Sequence, residues 1–133
     1  MRQKLRLLPL IFVQALISSA HADPQIQKLR ETYETKAAQT ISLRTIALGE
    51  DNQAVAVEIV VAAKGCSGVL SGLGTSDGKA IKIRPYLSSE PSSRACEVTI
   101  SLDKSGKVAI VSEENCLDFH GAQCAFSGEL RAK

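Results

Sequence analysis

Tryptophan is absent from this 133-residue chain, and the aromatic side chains number five: Phe12, Tyr33, Tyr86, Phe119 and Phe126. Any core must therefore be built from Val, Ile, Leu and Ala. No apolar run approaches the roughly 20 residues needed to span a bilayer. The longest, Leu7 to Ile17, has about 11. There is no C-x-x-C pair, which a thiol–disulfide redox site would favour. Histidine occurs only at His21 and His120. There is no G-x-S-x-G elbow around GCSGV. GLGTSDGK fails as a phosphate loop, because Gly74 and Gly78 are separated by three residues and Ala80 stands where Ser or Thr would hold magnesium. It reads as a hairpin turn. These absences leave no catalytic constellation, and the chain is not expected to be an enzyme or to take a cofactor.

The first 22 residues have the organisation of a secretory signal peptide. Arg2, Lys4 and Arg6 precede the apolar run, and Ala20-His21-Ala22 supplies small residues for a leader peptidase. The expectation is a cleaved leader over 1–22, a single mature domain over 23–133, a periplasmic or secreted location and no stable membrane insertion. The chain carries 16 Lys and Arg against 14 Asp and Glu. Three of those basic residues lie in the leader, leaving 13 against 14. The slight basicity therefore belongs to targeting, and nucleic acid is not an expected partner. The remaining 111 residues suffice for one compact domain.

Four cysteines follow the leader: Cys66, Cys96, Cys116 and Cys124. An even number in an exported small domain predicts disulfides. The gaps of 30, 20 and 8 residues lack the close pairs of a structural zinc site, so no metal is expected. The spacing favours Cys116–Cys124, closing a seven-residue loop, with Cys66–Cys96 as the second bridge. The rival, Cys96–Cys116 with Cys66–Cys124, stays open, because Cys96 and Cys116 share a face in the hairpin described below. The short loop presents Leu117, Asp118, Phe119, His120 and Gly121, either as scaffold or as a binding knob.

Along the chain, Asp23-Pro24 is a helix start. Ile26, Leu29, Tyr33 and Ala37 recur at spacings of three and four, predicting an amphipathic helix over about 24–38. A β-domain is expected from about 40 to 133. ISLRTIAL is a possible strand, and AVAVEIVVAA alternates with Val55, Val57, Ile59 and Val61 on one face. Strands are predicted near 54–62, 66–72, 79–86, 95–102, 107–113 and 123–130. The glycines of CSGVLSG suggest the sharp bend that barrel closure needs. DKSGK fits a three-residue hairpin loop with Gly106 left-handed, which pairs Leu102 with Val108, Ile100 with Ile110 and Val98 with Ser112. Val108, Ile110 and Phe126 join Ile81, Ile83, Val98 and Ile100 in the predicted core. Glu113 and Glu114 are taken as a solvated strand end. The fold class is mainly β: a small, disulfide-stabilised antiparallel barrel or sandwich of six to seven strands with an N-terminal helix.

The segment SEENCLDFHGAQCAFSGELRAK combines an acidic pair, Cys, His-Gly, Cys, Phe-x-Gly and a basic end. It resembles a C-terminal pattern of small exported bacterial domains. The wider plan, over residues 54 to 133, is similar to periplasmic lysozyme inhibitors and to immunity proteins that neutralise cell-wall-degrading toxins. That resemblance implies a non-catalytic binding protein whose partner is a hydrolase or toxin. The alternative is a structural or accessory component of the cell envelope or of a secretion system.

Overall fold

The computed structural model describes residues 23–49, 52–87 and 94–133. The expected leader and most of the polar loop SSEPSSR lie outside them. Eight strands form a closed antiparallel barrel in chain order. They are β1 (Thr32–Lys36), β2 (Thr40–Leu48), β3 (Ala54–Ala63), β4 (Cys66–Ser76), β5 (Ile81–Pro85), β6 (Glu97–Leu102), β7 (Val108–Glu114) and β8 (Gly128–Ala132). The eighth strand returns to the first, placing Tyr33 opposite Ala132 and Glu34 opposite Arg131. Closure gives every strand a hydrogen-bonded neighbour on both sides.

Period-two alternation decides which face is inward. Val55, Val57, Ile59 and Val61 of β3 point in, as do Ile41 and Leu43 of β2, Ile81 and Ile83 of β5, and Val98 and Ile100 of β6. An eight-stranded barrel is just wide enough for side chains to fill it, and here aliphatic residues do so with Tyr33 and Phe126 and without tryptophan. β4 contributes little bulk: its inward positions include Gly68, Leu70, Gly72 and Gly74. A Cβ at Gly72 would lie 2.2 Å from the Arg84 carbonyl oxygen, so this strand must be bare there. The glycines let the neighbouring backbone approach closely, in keeping with the bend expected of CSGVLSG.

The N-terminal helix is much shorter than the spacing predicts. Asp23 caps it, its carboxylate accepting the N–H of Gln25 at 2.8 Å, but the helix (α1) spans only Pro24–Lys28. Residues 32–36 are instead a strand, which supplies the eighth member of the barrel. Tyr33 satisfies both a 3.6-residue and a two-residue period, so the apolar pattern alone does not discriminate. Tertiary pairing does. Tyr33 is fully buried, its hydroxyl accepts the Arg30 N–H at 2.9 Å and donates to the Gly106 carbonyl at 2.7 Å. The helical turn closes one barrel mouth with Ile26.

The β6–β7 hairpin also differs, by one residue. Leu102 pairs with Ala109, Ile100 with Val111 and Val98 with Glu113. Asp103 explains the slip. Its backbone N–H donates to Val108 and its carboxylate accepts the Val108 N–H, both at 3.0 Å, so four residues rather than three turn the chain. Gly106 does take the left-handed conformation, with φ of 70°. Because a one-residue shift exchanges faces, Ala109 and Val111 are buried while Val108 is half-buried and Ile110 is 48% exposed. The last strand begins at Gly128 rather than near 123, and Phe126 is buried in the segment that precedes it.

Burial pushes the Tyr33 phenol above its ordinary value of 10.0. The unfolded chain therefore releases this proton first. Its contribution to stability is complete below pH 10.0 and is lost as pH rises through the folded value. Urea midpoints measured from neutral pH to about pH 11 should fall on the alkaline side. Tyr33→Phe should flatten that fall while costing about 1–3 kcal/mol at neutral pH through the two unpaired backbone groups.

Candidate functional site

The segment from Cys116 to Cys124 crosses the barrel end opposite α1. After β7, Asn115 takes a positive φ of 57°, and Leu117–Phe119 form a single 3-10 turn. His120 then makes a lone antiparallel bridge with Gly68 at the start of β4. That bridge needs glycine, since a Cβ on residue 68 would stand 2.3 Å from the His120 Cβ.

These turns decide the disulfides, and they overturn the favoured pairing. Cys116–Cys124 and Cys66–Cys96 do not form. Cys96 bonds Cys116 with Cα atoms 4.5 Å apart, and Cys66 bonds Cys124 with Cα atoms 5.9 Å apart. The reason is local. Glu97 pairs with Glu114, so Cys96 and Cys116 lie just beyond the same end of one hairpin, with Asn115 absorbing the odd residue. The His120–Gly68 bridge meanwhile brings Cys124 back to Cys66. The segment is thus not a self-closed ring; each end is sewn to a different strand. In the chain-entropy picture, closures of 20 and 58 residues contribute individually about 3 and 4 kcal/mol.

Within the stapled segment His120 is an internal pin. Its side chain is 1% exposed, and Nε2 lies 2.7 Å from Glu113 Oε1. Nδ1 faces the Gly121 carbonyl at 2.9 Å, and the ring meets Phe126 edge-on with centroids 4.9 Å apart. Each ring nitrogen thus faces an oxygen, the Gly121 carbonyl on one side and the Glu113 carboxylate on the other. The other Glu113 oxygen accepts the Phe126 N–H at 2.7 Å. Both ring nitrogens and both carboxylate oxygens are therefore engaged in holding the segment against β7. All four sulfurs are in disulfides, so none is a nucleophile.

The predicted loop residues consequently divide. His120 is buried and Phe119 is half-buried against the core, whereas Leu117, Asp118 and Gly121 are exposed, Leu117 to 66%. The structure adds Glu113, which is no solvated strand end. The slipped hairpin register hid it. In the observed register Glu113 follows Ala109 and Val111 on the inward face, while Glu114 is exposed. The signal was the same alternation, counted from the wrong residue.

A second feature lies on the outer wall. Ile46, Val60, Val69, Leu73 and Tyr86 are exposed between 38% and 68% on or beside β2–β4. A groove of about 740 Å³ runs there, bordered by Ile26, Leu29, Arg44, Ile46, Glu58 and Tyr86. Among the described residues no helix is long and apolar enough to cross a membrane. Comparison with known protein families, curated proteins and solved structures finds no match to this chain.

Non-reducing peptide mapping should recover 96–116 and 66–124 linkages. Removing the pin should be costly in the folded state. His120→Ala leaves a cavity and an unpartnered Glu113, and should lower unfolding free energy by about 2–4 kcal/mol under non-reducing conditions. Glu113→Gln, which keeps an acceptor for Phe126, should cost about half as much.

Proposed function

We propose that this protein is an exported, non-catalytic binding protein that inhibits, or gives immunity to, a cell-wall-degrading enzyme or toxin in the periplasm or outside the cell. The observation that carries this reading is the rigid presentation of Leu117 and Asp118. Both ends of their segment are disulfide-bonded to other strands, and His120 anchors its middle from inside. A loop ordered on folding loses little further entropy on docking. An exposed leucine offers an apolar anchor, and the adjacent carboxylate suits a partner whose docking surface is cationic. The barrel interior is filled by aliphatic side chains together with Tyr33 and Phe126, which directs binding to the outer surface. Two disulfides fit an oxidising compartment. The resemblance of residues 112–133 to small exported domains supports the same class.

Lysis of peptidoglycan followed by turbidity tests the reading. Lysis by a lysozyme-type hydrolase or partner toxin should slow in proportion to added protein. Leu117→Asp should raise the half-inhibitory concentration at least about tenfold, with little change in melting temperature, as expected for an exposed anchor. His120→Ala should lower the melting temperature. Absence of protection against any peptidoglycan-degrading enzyme, with capture of an envelope assembly by crosslinking, would favour the accessory role instead.

A further inference from the structure

We infer that the outer face of β2 and β3 is a two-fold interface that pairs two copies of this chain side by side, with both barrels pointing the same way. The inference goes beyond the inhibitory reading and does not need it. It rests on how the outward residues of these strands match in register. Ser42 lies beside Val60, Arg44 beside Glu58, Ile46 beside Ala56 and Leu48 beside Ala54. Each row holds one member of opposite character: small against large, or positive against negative.

Consider a two-fold axis parallel to the strands and midway between β2 and β3. Rotation about it sets β2 of one copy over β3 of the other. Arg44 then faces the second copy's Glu58, and its Glu58 faces Arg44. Ile46 and Leu48 pack on Ala56 and Ala54, and Val60 packs over Ser42. Neighbouring strands are about 4.8 Å apart and packed sheets about 10 Å, a gap that aliphatic side chains fill and that Arg and Glu bridge. Arg44 and Glu58 are exposed cross-strand neighbours, yet the ion pairs among the described residues do not include either of them. Their charges are open to an outside partner. Isologous interfaces require this kind of self-complementary patch.

The neighbouring axis, between β3 and β4, is poorer. It would set Glu58 against Ser71 and leave the carboxylate uncompensated. The remaining wall is more charged, with Lys82, Arg84, Glu97, Glu129 and Arg131 held in ion pairs of their own. Because the axis follows the strands, both stapled segments emerge from the same end of the pair. A surface carrying several repeated binding sites would then meet two loops at once, and avidity would follow from geometry alone.

Sedimentation velocity of the oxidised protein over a wide concentration series tests this. The expected mass rises from one protomer to two. Ile46→Asp, Arg44→Glu and Glu58→Arg should each weaken the dimer at least tenfold, since each buries an uncompensated or like charge. The double exchange Arg44→Glu with Glu58→Arg should restore association to within about threefold, because the reciprocal pairing returns. Circular dichroism and melting temperature confirm that each variant folds. A one-protomer mass at every concentration overturns the inference, as does a double exchange that stays as weak as the single ones.

Discussion

Everything in this fold depends on closing a barrel whose last seam is short. Between β8 and β1 only two residue pairs stand in register. Supplementary contacts gather around that seam. The Lys133 N–H reaches the Thr32 carbonyl, and Lys133 pairs with Glu34. At the stapled end the Gln39 side chain both donates to the Ala125 carbonyl and accepts its N–H. Tyr33 ties the mouth at the other end. The seam between β5 and β6 is nearly as short, with three pairs, and there Glu97 takes both Lys82 and Arg84. The ladders joining β2, β3 and β4 are long, with nine and ten residue pairs in register. Side-chain bridges stand at these two seams where backbone pairing is thin, while the disulfides tie the segment between β7 and β8 to the start of β4 and to the base of the β6–β7 hairpin.

Much of the wall was legible as alternation. AVAVEIVVAA and KAIKIRPYL announce their buried faces because each reads unambiguously at period two, and the observed strands follow. The N-terminal element was not legible, for a specific reason. PQIQKLRETYETK carries apolar residues compatible with a helix throughout, and pairing with the adjacent β2 and with the distant β8 converts its second half. Tyr33 pairs locally with Leu43, but no local property of it reveals Ala132, its other partner at the far end of the chain. The hairpin shows the same limit at finer grain. Asp103 can bond its own loop, adding one residue to the turn, and that choice reverses every face of β7.

The stapled segment was legible in chemistry and misleading in connection. The expected export and the even number of cysteines pointed to two bridges, and two are present. Proximity in sequence favoured joining Cys116 to Cys124, but a 3-10 turn and a bridge to Gly68 separate what the spacing brings near. His120 drew notice as a solitary histidine between two cysteines. Its role came from Glu113, whose inward position could be seen only once the hairpin register was correct. A single misplaced turn residue thus concealed both a buried face and a buried polar pair.

The nesting of the two bridges bears on how the molecule matures. Cys96–Cys116 lies wholly inside the span of Cys66–Cys124. A chain delivered N-terminus first presents Cys66 and Cys96 before either true partner exists. An oxidant acting early would join those two, and the mistake could be undone only by thiol–disulfide exchange. The final seam has the same timing, since β1 emerges first and its second neighbour emerges last. Closure of distant ends is intrinsically slow in all-β chains. Oxidation that lags behind delivery of the C-terminal strand avoids that mispairing.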